Sequence, residues 1–516
     1  MTRADVLLTL PVLCPLAGVA LSLLAWRWPL VQRGVSLAAS FGLLVSAIAL
    51  AAAVHDGTVL ATQFGAWRAP FGISFVGDML SAAMVLITGL MAVAVGVYGL
   101  AGDAPAREHA FYHPLYQGLL LGVTGAFLTG DIFNLYVWFE VMLISSFGLL
   151  ALGGTKAQLD AGVKYVTLNL VVTTQFLIAV AFLYGATGTL NMADLARVLP
   201  TVENQGLVTT LALLFLVAFG AKAAVFPLFF WLPAAYHTAS APVVAIFAAL
   251  LTKVGVYAIL RTFTLMFDGD VGVTSPIVGA IAAATMITGV LGAAAHFDIR
   301  RILSFHIISQ IGYMLLGIAV ATPLAVGGAI LYVIHHIVVK ANLFLVAGAI
   351  QRAGGSFHLK EIGGLYRGLP LLGVLFAIPA LSLAGLPPLS GFWAKFGVIK
   401  ASLDAGHIAL AATGLVVGLL TLYSMLKIWN EAFWKAAPEV SATAERRWMI
   451  DVRTRVLMLA PIAALAAVTL TIGLWAEPFV DYSLRAGEQL LDKAAYIQAV
   501  FPEEAALGAH ADEVAP

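Results

Sequence analysis

Long apolar stretches follow one another along the whole chain and restrict its fold more than any other feature. A helix needs about 20 apolar residues to cross the hydrocarbon core of a bilayer, and such stretches recur from residue 4 to residue 477. Of the 516 residues, 61% are hydrophobic and 10% are charged, whereas soluble proteins carry about 25% charged residues. The sequence therefore predicts an all-α polytopic membrane protein.

The apolar pattern divides into about fourteen transmembrane helices. The predicted spans lie near residues 4–24, 34–54, 76–100, 112–130, 131–152, 160–185, 205–232, 238–261, 274–297, 303–322, 325–351, 368–400, 406–434 and 455–477. The first span runs straight into further spans, so we expect it to stay as a helix and not to be cleaved as a signal. The tail EQLLDKAAYIQAV predicts a short amphipathic helix at the membrane surface.

The distribution of Lys and Arg between the two sides of the membrane predicts the orientation. Outside the spans, the side that holds both termini carries seven basic residues, and the other side carries fifteen. Basic residues concentrate on the cytoplasmic side of membrane proteins. We therefore expect both termini on the outer, periplasmic side, which requires an even number of spans.

Charge and cysteine content exclude several classes of function. The 27 basic residues balance the 27 acidic ones, and this balance gives no sign of a nucleic-acid partner. Cys14 is the one cysteine, which excludes an internal disulfide, an iron–sulfur cluster and cysteine-rich zinc sites. We expect no metal and no cofactor. The sequence shows no nucleophile–base constellation and no phosphate-binding loop, so it does not predict an enzyme.

Charged residues lie inside several predicted spans. Glu140 sits near the middle of DIFNLYVWFEVMLISSFGLL, and the five basic residues within spans are all lysines, namely Lys222, Lys253, Lys340, Lys395 and Lys427. A charge at mid-bilayer costs roughly 2.5–3.5 kcal/mol, so these residues predict pairing or a hydrated interior. Snorkelling of the ammonium to the interface is the simpler interpretation for Lys427, which lies near the polar segment NEAFWK.

Two spans contain a helix break beside a lysine. FGAKAAVFPLFFWLP places Pro227 after Lys222, and SLAGLPPLSGFWAKFG places Pro387 and Pro388 before Lys395. Proline removes a backbone donor, and irregular backbone at membrane depth is tolerated where it is buried or lines a wet cavity. A packing kink would explain either break alone, whereas a lysine beside both breaks favours a functional site.

The broken spans are the seventh and the twelfth, and this separation predicts an inverted repeat. Two units that are an odd number of spans apart cross the membrane in opposite directions, and paired broken helices in such repeats indicate a transport site. We expect the five-helix units to be helices 4–8 and 9–13. The predicted divisions are residues 1–110 with helices 1–3, 111–262 with the first repeat, 263–434 with the second repeat, and 435–516 with helix 14 and the tail.

Histidines accompany the lysines of the second repeat. His336 and Lys340 are four residues apart and share a helix face, His335 precedes them, and His306 lies in the span before. Imidazole titrates near neutrality, so we interpret His336 as part of a proton relay. His335 and His306 fit a supporting role and hydrogen-bonded packing equally well.

Long motifs give the chain a family resemblance. They are TGDIFNLYVWFEVMLISSFGLL, AKAAVFPLFFWLPAAYHTASAPVVAIFAALLTKVGVYAILR, FDIRRILSFHIISQIGYMLLG and SLAGLPPLSGFWAKFGVIKA. In these motifs the chain resembles the antiporter-like subunits shared by respiratory complex I and the multisubunit Mrp-type cation/proton antiporters. GGTKAQLDAGVKYVTLN, TGTLNMADLA and LLDKAAYIQAV make it most similar to Mrp D subunits.

The resemblance implies a proton-translocation axis and a set of partners. Glu140 would pair with Lys222, and a hydrated path would continue through Lys253, His336, Lys340 and Lys395. Asp131 would belong to a family motif, where a structural role is at least as well supported as a functional one. The partners would be Mrp subunits A, B, C, E, F and G in a bacterial inner membrane. Inward proton flow would drive export of Na⁺, with K⁺ and Li⁺ left open.

Two other functions stay open at this stage. A proton-pumping subunit of a redox complex, such as complex I or a membrane-bound hydrogenase, would have the same axis but would need an electron donor. A membrane scaffold with a decayed axis would have no need of the intact Glu and Lys set. We expect a secondary transporter subunit and not a catalytic enzyme.

Overall fold

The computed structural model describes residues 2–101, 111–436, 448 and 451–502, and these residues are mostly helical. In this part of the chain, twelve helices are long and apolar enough to cross a membrane. Of the other two predicted spans, one is a helix of 17 residues, Tyr112–Leu128, and one is interrupted at its centre, with Pro370–Ala384 as its apolar first half. Each predicted span therefore has a helical counterpart, and the polytopic helical fold is confirmed.

The helices alternate between long spans and short connecting segments. Those of the first half are α1 (Arg3–Leu24), α2 (Pro29–Val54), α3 (Met79–Gly99), α4 (Tyr112–Leu128), α5 (Ile132–Ala151), α6 (Lys156–Thr187), α7 (Met192–Val198), α8 (Gln205–Ala223), α9 (Trp231–Tyr236) and α10 (Ala241–Leu265). Those of the second half are α11 (Val271–Ala295), α12 (Ile299–Val320), α13 (Pro323–Gly354), α14 (Leu365–Gly368), α15 (Pro370–Ala384), α16 (Ser390–Asp404), α17 (Ile408–Trp429), α18 (Val452–Leu474), α19 (Glu477–Leu491) and α20 (Lys493–Val500).

A short hairpin between α2 and α3 departs from the all-α prediction. Its strands β1 (Leu60–Gln63) and β2 (Ser74–Gly77) pair antiparallel, with Leu60 opposite Gly77. Strands of four residues are too short for their alternation to be told from a polar loop. The hairpin is a small local addition, and the all-α fold class is confirmed.

The helices differ in how deeply they are buried. α10, α12 and α13 are buried along almost their whole length, whereas α1, α2, α6 and α17 expose apolar side chains. α10, α12 and α13 also contact one another. These three helices therefore form the centre of the molecule, and they carry Lys253, His306, His335, His336 and Lys340.

The same backbone contact, which we call a joint, occurs once in each of the two five-helix units. An antiparallel bridge connects Asp131, the N-cap of α5, to Asn191 after α6, and the same bridge connects Asp298, the N-cap of α12, to His358 after α13. α6 and α13 are each 32 residues long. Since α5 and α12 are five spans apart, the two joints lie at opposite ends of the bundle, as an inverted repeat requires.

A buried ion pair fixes the end of the bundle at which α3 begins. Arg261 of α10 donates to both carboxylate oxygens of Asp78, the N-cap of α3, at 2.6 and 2.8 Å. The guanidinium also lies 5.2 Å from the ring centroid of Tyr496 in α20, and Tyr482 of α19 donates to Met79 O at 2.7 Å. The tail thus forms two helices, where one was predicted, and both are held on this end of the bundle.

Removal of the Arg261 guanidinium should destabilise the protein more than removal of an exposed cation. Arg261→Leu leaves the buried Asp78 carboxylate without its partner, a change that costs about 3–5 kcal/mol. We expect the detergent-solubilised protein to lose its monodisperse size-exclusion peak at a clearly lower temperature. Lys164→Ala is the control, because its pair with Asp160 is exposed and such pairs contribute about 0–1 kcal/mol. Equal melting temperatures for the two variants would contradict this prediction.

Candidate functional site

The first helix break carries Lys222 in the last turn of α8. Ala224 ends the helix at φ +62°, a left-handed conformation that alanine adopts rarely and that occurs in strained functional segments. The backbone N–H of Ala224 and Nε1 of Trp231 both donate to Ala221 O, at 3.2 and 3.0 Å. The chain passes Pro227 between α8 and α9, so the break lies where the sequence predicted it.

The ammonium of Lys222 contacts a neutral amide. The side chain is buried, its Nζ donates to Asn169 Oδ1 of α6 at 3.2 Å, and it lies 5.9 Å from the ring centroid of Phe139 on α5. Glu140 interacts with Lys222 electrostatically, yet within the described residues no ion pair of 4.0 Å or less joins them. Oε1 of Glu140 is buried and has no hydrogen-bond partner there. The direct pairing implied by the family resemblance is therefore not formed in this structure.

The face of α5 around Glu140 is turned away from the central helices. Phe133, Val137, Ile144 and Phe147 are exposed along this face, and Glu140 is half-buried among them. Positions that are three or four residues apart share a helix face, so Glu140 belongs to the same stripe. A carboxylate in an apolar stripe lies where a neighbouring protein or lipid would cover the chain.

The second helix break places Lys395 at the end of a half-helix. α15 ends at Ala384, Gly385 follows at φ +92°, and the predicted breaks Pro387 and Pro388 precede α16. Lys395 is buried, and its Nζ donates to Ala384 O at 2.9 Å. The C-terminal carbonyls of a helix carry partial negative charge, so the end of α15 serves this ammonium as an acceptor without a carboxylate.

His335 connects α13 to the second break through hydroxyl groups. Its Nδ1 lies 2.8 Å from Ser390 Oγ at the start of α16, and Ser390 Oγ lies 2.9 Å from Ser382 Oγ in α15. All three side chains are buried. Tyr313 of α12 adds its ring, whose centroid is 4.9 Å from Lys395 Nζ. These contacts assign His335 a hydrogen-bonded position between α13 and the half-helices.

Lys253 and Lys340 are fully buried on the central helices. Lys253 Nζ donates to Ala248 O of its own helix at 2.5 Å, and Lys340 Nζ donates to Leu303 O of α12 at 3.1 Å. Both ammonium groups thus have backbone carbonyls as acceptors. An isolated buried ammonium is strongly disfavoured, so each lysine is held in a position where its protonation depends on neighbouring charges.

Buried polar atoms without a protein partner cluster on these helices. Across the described residues, they include both ring nitrogens of His306 and His336, both amide atoms of Asn342 and the hydroxyl of Thr252. Buried polar groups that lack a protein partner usually bind ordered water. The centre of the molecule is therefore polar enough to be hydrated.

The structure brings the predicted residues into two groups. The switch pair consists of Glu140 and Lys222, and the central group consists of Lys253, His306, His335, His336, Lys340 and Lys395. Close helix packing joins the two groups, because a Cβ on Gly255 of α10 would lie 2.6 Å from the backbone nitrogen of Ala223 beside the first break. A conformational change at that break would therefore act on α10.

Lys427 occupies a helix end. Its Nζ donates to Ala294 O and His296 O, each at 2.8 Å, and lies 5.0 Å from the ring centroid of Phe297. These carbonyls belong to the C-terminal end of α11, where a cation is stabilising. Lys427 thus has a capping contact inside the protein, which the snorkelling interpretation did not include.

Acidic residues near the span ends act as helix caps. Asp131 is buried and accepts a hydrogen bond from the backbone N–H of Asn134 at 2.7 Å, which caps α5. Asp298 does the same for α12, and this supports the structural role considered for Asp131. Within the ranges that the structure describes, no group of three or more His, Cys, Asp or Glu side chains could hold a metal ion.

Sequence reasoning missed the neutral acceptors of the site. Asn169 lies 53 residues from Lys222 along the chain, in a segment with several other polar residues, KYVTLNLVVTTQ. Which of these faces α8 depends on the rotation of α6, and no local pattern gives that rotation. Ser382 and Ser390 flank the predicted break, and their position there was the available signal.

Paired broken helices in an inverted repeat, with a buried lysine at each break, define a membrane-embedded ion-transport protein. The chain belongs to the family described as NADH:quinone oxidoreductase/Mrp antiporter, TM, whose model matches residues 129–421. This range contains both the switch pair and the central group.

Individual relatives extend the similarity to nearly the whole chain. The D subunit of the Na(+)/H(+) antiporter of Alkalihalophilus pseudofirmus is 46% identical over 497 residues, which cover 96% of this chain and 99% of the relative. The solved structure of the Mrp complex from Dietzia sp. contains a chain with 36% identity and a TM-score of 0.87, covering 97% of this chain and 100% of that one. A chain of the archaeal membrane-bound sulfane sulfur reductase has 25% identity and a TM-score of 0.85, with coverages of 96% and 99%.

A methyl group on Gly385 should displace Lys395 from its acceptor. Its Cβ would lie 2.7 Å from Lys395 Cδ, whereas a Cβ on Gly406, which has a similar φ of +78°, would meet nothing within 4 Å. Both alanine variants carry the backbone strain of a positive φ, about 1–2 kcal/mol. We therefore expect similar amounts of membrane-inserted Gly385→Ala and Gly406→Ala protein, with a loss of transport in Gly385→Ala alone. Equal transport rates in vesicles would show that the position of Lys395 does not matter.

Proposed function

We propose that this chain is a subunit of a multisubunit monovalent-cation/proton antiporter, in which it carries proton translocation driven by the proton motive force. The observation that supports this most is the position of Lys222, whose ammonium donates to a neutral amide, while Oε1 of the Glu140 carboxylate has no hydrogen-bond partner in the described chain. Its charge thus has two alternative acceptors. The relative named as the D subunit of an Na(+)/H(+) antiporter agrees with this function. On this proposal, the chain is a secondary transporter subunit and not an enzyme.

Glu140 acts as an electrostatic switch in the proposed mechanism. When it pairs with Lys222, the opposite charge favours the ammonium and the proton is held. When the pair opens, desolvation penalises the charged form and the proton is released more readily. Cation passage elsewhere in the complex would bias this pair, and the bias would couple inward proton flow to outward cation flow.

The central group then carries the proton across the middle of the protein. Like-charge repulsion from Lys222 acts through the close contact of α8 with α10, and the proton moves along Lys253, His336, Lys340 and Lys395. Water bound at the unpaired polar atoms would bridge these groups. His335 and His306 support the path, and Asp131 holds the start of α5. Because such titrations are coupled, the protonation states belong to the group as a whole.

The proposed assembly is a hetero-oligomer with Mrp subunits A, B, C, E, F and G. The match to a chain of the Mrp complex supports a multisubunit setting, and the apolar stripe around Glu140 offers a face for a neighbour. Protons and Na⁺ are the proposed ions, with K⁺ and Li⁺ as further candidates. The proposed location is a bacterial inner membrane with both termini outside, and the four predicted divisions of the chain remain predictions.

A redox-driven proton pump is less well supported. The sulfane sulfur reductase chain is a respiratory relative with the same architecture, but its identity of 25% is well below the 46% of the antiporter relative. The antiporter function therefore takes precedence.

Cation-triggered proton movement tests the proposed function directly. Bacteria that lack their own antiporters would express the full set of subunits, and everted vesicles would be prepared from them. A pH-sensitive dye would report the collapse of a pH gradient after addition of Na⁺ or K⁺. We expect collapse with the natural sequence and a loss of about 100-fold in Lys222→Ala, since a positioned proton-transfer group contributes about 10²–10⁴ in rate. Lys164→Ala, on an exposed lysine, serves as the control.

The outcomes of this assay separate the two functions. No collapse with any cation, from an assembled complex of natural sequence, would favour the redox-driven pump. Near-normal activity in an assembled Glu140→Ala complex would instead sink the switch mechanism while leaving antiport intact. Assembly is checked by co-purification of the partner subunits, because removal of one partner can leave a buried charge.

The proposed orientation predicts which surface residues a membrane-impermeant maleimide can reach. In a Cys14→Ser background, Glu488→Cys on α19 should react in right-side-out vesicles, because both termini are proposed to lie outside. Asp160→Cys at the start of α6 should react in everted vesicles only. Both positions are exposed, so each variant controls for the reactivity of the other. The reverse labelling pattern would refute the orientation.

A further inference from the structure

We infer that Asn169 is a positioning residue for the lysine switch, and that it holds the Lys222 ammonium in the open state of the switch, away from Glu140. This inference rests on the proposed function and gives the open state a defined acceptor. The ammonium would then have two alternative acceptors, which we call docks. The charged dock is the carboxylate of Glu140 on α5, and the neutral dock is the amide oxygen of Asn169 on α6.

The geometry places the ammonium of Lys222 at the neutral dock. Lys222 Nζ is 3.2 Å from Asn169 Oδ1 and 5.9 Å from the ring centroid of Phe139, the residue that precedes Glu140 on α5. The ammonium therefore lies between α5 and α6 in contact with the second. Within the described residues, the hydrogen bond of this buried ammonium goes to Asn169 Oδ1, and a buried ammonium without an acceptor is strongly disfavoured.

Surrounding contacts orient the Asn169 amide. Its Nδ2 donates to Tyr165 O at 2.8 Å, which turns Oδ1 towards Lys222. The Tyr165 hydroxyl lies 2.7 Å from Ser146 Oγ on α5, and the Tyr165 ring packs edge-on against Trp231 at a centroid distance of 5.4 Å. Because Trp231 also bonds the carbonyl beside Lys222, the dock and the first break form one connected unit.

A small cavity lies next to this dock. Its volume is about 20 Å³, and it is lined by Leu168, Asn169, Val172, Ala221, Leu228 and Trp231. A cavity of about 10–15 Å³ or more can hold a water molecule when polar partners line it. Asn169 lines this cavity and also contacts the ammonium, so the cavity, the dock and the first break are adjacent.

The two docks must differ in charge for the switch to work. A carboxylate attracts an ammonium more strongly than an amide does, so the pair with Glu140 holds the proton and the contact with Asn169 holds it weakly. A change in the interactions of Glu140 shifts the lysine between its two positions only to the extent that it changes the free-energy difference between them. Loss of the neutral dock would leave the lysine at Glu140 and slow each cycle.

A swap of the two docks tests this assignment in the vesicle assay. Asn169→Leu removes the acceptor at nearly constant volume, and Asn169→Asp makes both docks charged; we expect each to slow cation-triggered proton movement about tenfold. Glu140→Gln alone should slow it at least as much. The double variant Glu140→Gln/Asn169→Asp exchanges the charged and neutral docks, and we expect its rate to exceed that of either member alone.

The matched control is Thr173→Val, one turn further along α6. Thr173 is buried, and its hydroxyl donates to the backbone carbonyl of Asn169, so this variant removes a polar contact from the same helix turn and leaves the Asn169 side-chain acceptor in place. We expect it to transport normally. If Asn169→Leu fails to co-purify with its partners, the question is decided by Asn169→Asp, Glu140→Gln and the double variant. Each of these keeps a polar side chain at both positions.

Two results would overturn the inference while leaving antiport standing. One is a normal rate in assembled Asn169→Leu, and the other is a double variant as slow as the product of its two single losses, because independent structural defects combine additively in free energy. A complex of natural sequence that shows no cation response would count against the proposed function itself. The two failures are thus distinguishable.

Discussion

The free energy of a lysine ammonium away from water is the constraint on which the rest of the structure depends. An uninterrupted helix offers few free acceptors, since its carbonyls bond its own N–H groups. Two of the five intramembrane lysines find their acceptors where that rule is relaxed, at the end of a helix. Lys395 uses the end of half-helix α15, and Lys427 uses the end of α11. The second helix break therefore supplies a hydrogen-bond acceptor at membrane depth, which a packing kink alone would not explain.

The inverted repeat uses this chemistry twice, but with unequal results. The joints at Asp131 and Asp298 show that the two units share their backbone design. In the first unit the lysine precedes the break and has a neutral amide and a carboxylate nearby, whereas in the second it follows the break and has a helix end. The switch pair of Glu140 and Lys222 therefore belongs to the first unit alone.

The elements that the sequence predicts well are those with local signals. Apolar length indicates the spans, proline and glycine indicate both breaks, and charge inside an apolar run identifies Glu140 and the lysines. What it misses depends on contacts between distant segments. Arg261 is the last residue of the predicted span 238–261, and nothing near it in the sequence indicates that it pairs with Asp78, which is 183 residues away. Asn169 could not be chosen among its polar neighbours, because the rotation of α6 follows from packing against α5 and α8 and not from its own pattern.

The scarcity of carboxylates in the axis follows from the same physics. A lysine bound to a fixed carboxylate would hold its proton through the whole cycle, because the opposite charge favours the ammonium permanently. A lysine on a carbonyl or an amide is held in place while its protonation follows the charges around it. Neutral acceptors at Lys222, Lys253, Lys340 and Lys395 therefore make the axis responsive along its length. On the proposed mechanism, a change in the interaction of Glu140 with Lys222 is then enough to change the protonation of the other lysines.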